Sequence, residues 1–451
     1  MADSNTKSFK EIMMNASGKF AGSRFVRAIM DAGYSVISFT IIGAIFLILT
    51  ILPQAFPIPG FAEWYAGTVG RFTNLFQVVY NSTMGILALV FAGTFTYSYT
   101  NIYAKEEKLD LNPLNGLLMF LMAMFITVPQ LIWKGGSVQF VQSLSKNNII
   151  GGGYAVSSGG LTRIAAVGIF TGLVVGWLTT QIYRYTIKHD WRIKMPASVP
   201  AGVANSFSAL IPGICVAFVI ALLNMILVMF GTDIFQLLYI PFSFISSIAD
   251  TWWGFLIIIF LVHFLWWFGI HGATIMSSFY TPIVLANMAA NAQGANHFFA
   301  GDPMNSFVTI GGSGATLGVA FWLAFRARSV QLSEIGKVET VPALFNINEP
   351  ILFGLPIVYN INLFVPFVLA PLASGLVGYL GVSTHLVPKI ITMQPWPTPI
   401  GLSGFIATTS WKGAVLSVVC ALVGFVVWYP FIRNYDKKLV KQEAEKAKKL
   451  A

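Results

Sequence analysis

The sequence predicts an all-α polytopic membrane protein: about ten transmembrane helices, with re-entrant hairpins and amphipathic interfacial helices. Three observations carry that reading. First, 56% of the 451 residues are hydrophobic and only 10% are charged, whereas a soluble domain has about 25% charged residues. Second, the apolar residues form continuous runs rather than the period-two alternation of a membrane barrel. Third, the basic residues gather at both termini and in short loops between apolar runs, as the positive-inside rule requires.

The formal net charge of +10 therefore needs no nucleic-acid partner. The first thirty residues are polar and basic, unlike the short apolar core of a cleavable signal peptide. Residues 5–30 have the pattern of an amphipathic surface helix, with Phe9, Ile12, Met13, Phe20 and Ile29 turned to lipid. They are expected in the cytoplasm.

A spanning helix takes about 20 apolar residues. The first span is expected over 34–52, stopped by Pro53, and an outer loop with Pro57, Pro59 and Gly60 follows. The second is 75–97, ending at an inner loop marked by Lys105, Glu106, Glu107 and Lys108. The third is 114–133. A Gly/Ser-rich outer excursion then occupies 134–163, without the GK[ST] ending of a phosphate-binding loop. The fourth span, 164–183, runs into Arg184, Lys188, His189, Arg192 and Lys194, the densest internal basic loop. The stretch MPASVPAGVANSFSALIPG, 195–213, is a broken entry into the fifth span, 206–230. An interfacial segment covers 231–250. The sixth and seventh spans are 251–270 and 271–290. GGSGATLG, 311–318, leads into an eighth apolar run that ends at Arg326 and Arg328. The ninth span is 361–380, residues 381–412 are Pro-rich and irregular, and the tenth is 413–431. The lysine-rich tail from 433 is expected as a solvated helix. Ten spans return both termini to the cytoplasmic side.

The stretch from Val341 to Asn360, VPALFNINEPILFGLPIVYN, breaks the pattern. Pro342, Pro350 and Pro356 forbid one unbroken helix. Asn346, Asn348 and Glu349 place polar groups at membrane depth, where a carboxylate is costly without partners. Broken backbone at that depth survives only in protein or beside a wet cavity, so a re-entrant hairpin is expected. A carboxylate takes two adjacent hydroxyl donors, as a sugar presents, and an amide both donates and accepts. Trp396, between prolines, offers a face for stacking on a sugar ring, although an interfacial tryptophan would look the same.

Few other ionisable residues fall in or near the apolar runs: His263, His271, His297 and His385. His271 is set off by its context WWFGIHG, with glycine on either side, though a core histidine bonded to a carbonyl is the plainer alternative. The histidines are scattered, so no metal site is expected. Nor is any cofactor. Cys215 and Cys420 both lie in apolar runs and read as small core residues.

These motifs in order, MPASVPAGVANSFSALIPG, WWFGIHG, GGSGATLG, FNINEP and PWPTPIGLSGF, resemble the membrane IIC component of the bacterial phosphoenolpyruvate-dependent sugar phosphotransferase system. The resemblance is to its lactose/cellobiose/diacetylchitobiose branch and covers nearly the whole chain. It implies a homodimer in the bacterial cytoplasmic membrane. Residues 1–235 would form the scaffold and dimerisation half, 236–435 the sugar-binding half, and 436–451 a cytoplasmic tail. It implies that Glu349 binds sugar hydroxyls, assisted by Asn348 and the neighbouring Asn346. His271 would lie by the hydroxyl that becomes phosphorylated, and Trp396 would complete the site. It implies a β-linked disaccharide, cellobiose first, then lactose or diacetylchitobiose. The phosphoryl group would come from a phosphocysteine on a separate IIB, charged through IIA, HPr and enzyme I. Two rivals belong to other classes. An ion-coupled secondary sugar carrier would show more carboxylates along an ion path. A receptor would carry a sizeable soluble module.

Overall fold

The structure is a computed structural model of the whole chain. It describes residues 19, 22–55, 59–141, 149–157, 160–196, 198–269, 271–355, 357–358 and 360–450. Most of the expected surface helix over 5–30 thus lies outside the described residues, as does Pro356. The helical class expected from composition is what is found. Among the described residues, six helical stretches are long and apolar enough to cross a membrane. A seventh is added if Ile234–Ala249 and Trp252–Trp267 are read as one broken span.

The chain divides into two compact units, one of Gly22–Thr50 with Ala66–Ser246 and the other of Ser247–Ala451 with Ile51–Tyr65.

The helices of the first part of the chain are α1 (Arg24–Ala55), α2 (Phe61–Gly67), α3 (Thr73–Thr83), α4 (Leu87–Glu106), α5 (Pro113–Thr127), α6 (Ile169–Lys188), α7 (Ala201–Ser208), α8 (Leu210–Met229) and α9 (Ile234–Ala249). The expected third span is shorter than its apolar run. Asn112 caps α5 by accepting from the Leu114 amide, with Pro113 at the first helical turn. The run then leaves the helix, and Leu131–Lys134 pairs as strand β1 with β2 (Ser137–Phe140). The Gly/Ser-rich excursion is likewise not irregular throughout: β3 (Ile149–Gly151), β4 (Tyr154–Ser157) and β5 (Gly160–Leu161) form a small antiparallel sheet. Short β-forming runs separated by Gly-Gly turns explain it, Gly152 and Gly153 both having positive φ.

In this unit α4 packs on α5 and α6. Small residues set the approach: a Cβ added to Gly172 would lie 2.6 Å from the Ala92 Cβ. Membrane helices associate through such close backbone contact rather than through expulsion of water. Their outer faces stay apolar, as lipid allows; Phe218 of α8 is 67% exposed. At one end Glu107 gathers three cations: Arg24 and Arg184 donate to it, and the Lys188 ammonium lies 2.8 Å away. These cations, with the Arg184 donors first among them, hold the Glu107 carboxyl down at about 2. Elsewhere Arg163 and Asp233 form a buried ion pair at 2.7 Å, with the guanidinium over the Phe235 ring.

The second part of the chain forms α10 (Trp252–Trp267), α11 (Gly272–Ala292), α12 (Leu317–Arg326), α13 (Val330–Leu344), α14 (Glu349–Gly354), α15 (Ile361–Ser383), α16 (Leu402–Thr408) and α17 (Trp411–Leu450). α15 packs against α17 and α10, and α12 folds back on α13. Phe255, Phe299, Phe307, Phe367 and Trp428 are fully buried between them. The expected eighth span is only the ten residues of α12, about 15 Å of helix, which is half a bilayer core. The expected tenth span and the tail are one continuous helix of 40 residues, α17.

Candidate functional site

The structure brings three of the sequence motifs together in the second unit, and the asparagines do it. After α13 ends at Leu344, Asn346 turns the chain with φ 59°, a left-handed conformation that asparagine tolerates better than most residues. Its Oδ1 accepts from the Gly311 amide at 2.8 Å. Its Nδ2 donates to the Trp396 carbonyl at 2.9 Å and the Thr398 carbonyl at 3.3 Å. One side chain thereby ties FNINEP to GGSGATLG and to PWPTP. Asn348 is 4% exposed. Its Nδ2 donates to the Ser313 carbonyl at 2.6 Å and to Thr316 Oγ1 at 2.8 Å. Gly312, with φ 94°, leaves room for the Asn348 amide that no side chain would. Both asparagines, expected to meet ligand directly, spend their Nδ2 donors on protein groups in this structure.

Glu349 is the first residue of α14 and is followed by Pro350, the residue that suits a helix start. The Asn348 carbonyl accepts from the Ile351 and Leu352 amides. The backbone at Glu349 is thus fixed from both sides, while its side chain lies outside what the structure describes. Trp396 has its carbonyl held by Asn346 and is 49% exposed as a residue. The loop before it is anchored by Gln394, whose buried Nε2 donates to Ser306 Oγ at 2.7 Å and to the Asp302 carbonyl at 3.2 Å.

His271 is the N-cap of α11. Its Nδ1 accepts from the Thr274 amide at 3.2 Å. Thr274 Oγ1 lies 2.7 Å from the same nitrogen, so the cap residue and its third neighbour are joined through both backbone and side chain. The Trp266 ring lies 4.3 Å from it, centroid to centroid. The preceding turn is tied toward α15, since Trp267 Nε1 donates to the Asn360 carbonyl at 3.3 Å. The other histidines fall to plainer roles. His263 is buried, with Nδ1 2.7 Å from the Ile259 carbonyl, and His297 pairs with Asp250 at 2.9 Å.

Sequence reasoning missed Ser313, Thr316, Gln394 and Thr398 as members of this framework. For Ser313, Thr316 and Thr398 only their position inside motifs already singled out could have pointed to them, and Gln394 stands just before the last of these motifs. It also passed over Glu339 of α13, which is fully buried. Among the described residues no group of three or more His, Cys, Asp or Glu is placed to hold a metal ion.

A many-helix membrane body whose polar, glycine-rich and proline-broken segments converge beside an exposed tryptophan defines a transporter of small polar molecules. The comparisons with known proteins make this specific. The family model "Phosphotransferase system, EIIC" matches residues 30–371. The chain is 34% identical to the lichenan permease IIC component of Bacillus subtilis, over 96% of this chain and 94% of that one. It is also 34% identical to the cellobiose-specific EIIC component of Geobacillus stearothermophilus, with the same coverage. Among solved structures it is similar to the transporter ChbC, the IIC component from the N,N'-diacetylchitobiose-specific phosphotransferase system. The TM-score is 0.79 at 30% identity, over 96% of this chain and 98% of that one. The chain belongs to the EIIC family, the membrane permease components of bacterial sugar phosphotransferase systems.

Proposed function

We propose that this permease carries a β-linked disaccharide, cellobiose first, with lactose and diacetylchitobiose next. It presents the sugar for phosphorylation by a phosphocysteine on a separate IIB, itself served by IIA, HPr and enzyme I. The observation that carries the site is the convergence of three motifs on Asn346, which fixes the backbone of Glu349 and Trp396 in one framework. In this reading Glu349 accepts from sugar hydroxyls and Trp396 stacks on a pyranose face. Asn346 and Asn348 hold the frame, adding any contact through their oxygens. His271 orients the reacting hydroxyl or accepts its proton. Cys420 is fully buried and Cys215 lies on α8, which supports a phosphoryl donor on another chain.

The same reading takes the protein as a homodimer in the bacterial cytoplasmic membrane, with both termini cytoplasmic. Residues 1–235 serve as scaffold and 236–435 as the moving sugar half. The substrate supported by the named relatives is a β-linked oligosaccharide. The test is a calorimetric screen of cellobiose, lactose and diacetylchitobiose on the purified protein and on Glu349→Gln. Binding of one sugar, lost in the variant, is expected. Unchanged affinity in the variant refutes the site. Concentrative uptake of free sugar without IIB refutes the phosphorylating role and favours an ion-coupled carrier.

A further inference from the structure

The first turn of α13 makes an unusual set of bonds. A helix start leaves several amides without intrahelical acceptors. Around Ser329, the N-cap of α13, the carboxy-terminal helix supplies those acceptors. Asp436 Oδ1 accepts from the Arg328 and Ser329 amides at 3.0 and 2.9 Å. Glu443 accepts from Ser329 Oγ at 2.6 Å and from the Val330 and Gln331 amides at 3.2 and 3.4 Å. The Leu332 amide is left to Ser329 Oγ at 3.4 Å. Every amide from 328 to 332 thus has a side-chain acceptor. Asp436 and Glu443 are seven residues apart on α17, two turns, and so share one face. Two carboxylates at the positive end of the α13 dipole add electrostatic attraction to the bonds.

The same turn reaches the sugar segment by two routes. Along its own axis, α13 runs 15 residues, about 22 Å, to the Asn346 turn. Across the hairpin, Gln331 Nε2 donates to the Gly354 carbonyl at 3.4 Å, at the far end of the short helix that Glu349 opens. Ile335 packs on Gly354 beside it. Tyr435, next to Asp436, accepts from Asn360 Nδ2 at 3.4 Å, where α15 begins. Two of these links start at the first turn of α13, which α17 caps, and the third starts on α17 itself.

We propose that Asp436 and Glu443 are positioning residues for sugar binding: the carboxy-terminal helix clamps the first turn of α13 and so holds the Glu349 segment in its binding register. This rests on the reading of that segment as the sugar site. Binding linkage is reciprocal, so the clamp has a signature that a merely stabilising contact lacks. Sugar bound at Glu349 must tighten the clamp, and loss of the clamp must weaken the sugar.

The experiment uses the full-length protein in detergent, with whichever of cellobiose, lactose or diacetylchitobiose it binds in the screen above, and follows backbone amide exchange at 328–332. Saturating sugar is expected to slow exchange there in the wild type. Glu443→Gln is expected to speed it and to weaken sugar binding roughly fivefold or more, and Asp436→Asn/Glu443→Gln to weaken it further. Glu443→Gln alone removes only charge and keeps the side chain's length, so it serves if the double variant does not fold. The proposal is overturned if sugar leaves exchange at 328–332 unchanged, or if Glu443→Gln speeds that exchange without altering affinity. Wild-type affinity in Glu349→Gln, together with weakened binding in Glu443→Gln, would instead overturn the assignment of Glu349 and leave the clamp standing.

Discussion

Replacing Asn348 tests the framework most directly. Its buried Nδ2 makes two hydrogen bonds, to the Ser313 carbonyl and Thr316 Oγ1. Each contributes about 0.5–1.5 kcal/mol net, and stranding a buried acceptor costs about 1–3 kcal/mol more. Thr316 retains its own bond to the Gly311 carbonyl, so Ser313 is the stranded group. Asn348→Ala should therefore lose about 2–6 kcal/mol of stability, read as a lowered midpoint of thermal unfolding in detergent. Asn348→Asp keeps the shape but sets carboxylate oxygen against carbonyl oxygen. It should be worse than alanine at pH 7. It should recover in part as the pH falls and the carboxyl, protonated, regains one donor. Sugar affinity should follow stability in both variants, because a disordered Gly311–Gly318 loop releases the Glu349 segment from one of its supports. Wild-type stability in Asn348→Ala, or an aspartate variant that worsens steadily on acidification, would refute the reasoning.

The buried Arg163–Asp233 pair should be far more sensitive to breaking than to replacement. Asp233→Asn leaves a buried guanidinium uncompensated and should cost about 3–5 kcal/mol, whereas Arg163→Met/Asp233→Leu should recover most of that loss; thermal unfolding of the two variants decides it. The Glu107 cluster gives a pH signature. Its carboxyl sits at about 2 against an ordinary value of 4.5, so the stability it contributes is complete above about pH 4.5 and is lost as the pH falls toward 2. Glu107→Gln should lower stability at pH 7 and flatten that acid limb, which melting curves between pH 2 and 6 would show.

The membrane class was legible because burial in lipid selects composition itself: continuous apolar runs need no knowledge of tertiary contacts. The broken segment at 341–360 was legible for a similar reason, since prolines act on their own backbone. Residues 131–134 were not. Leu-Ile-Trp-Lys continues an apolar run, and only its pairing with Ser137–Phe140 makes it a strand. The length of α12 was hidden because GGSGATLG reads as an entry to a span, whereas its positive-φ glycines and Ala315 consume the residues a span would need. Within the site, residue type pointed to Asn346 and Asn348 but not to what they touch. Amides that bind a sugar and amides that bind a carbonyl look the same in sequence. The difference lies in Gly311, Ser313 and Trp396, 35 to 50 positions away.

That three-way tie at Asn346 bears on how specificity in such a permease can be altered. FNINEP, GGSGATLG and PWPTP are separate in sequence but meet through one amide, so none is an independent module. A chimera that imports one of them from a relative with another substrate inherits a loop cut to fit different neighbours. With the sugar site as proposed above, recoding substrate choice means transplanting all three stretches together, and a natural exchange between relatives would be expected to carry the whole interval from 311 to 398 rather than any single motif.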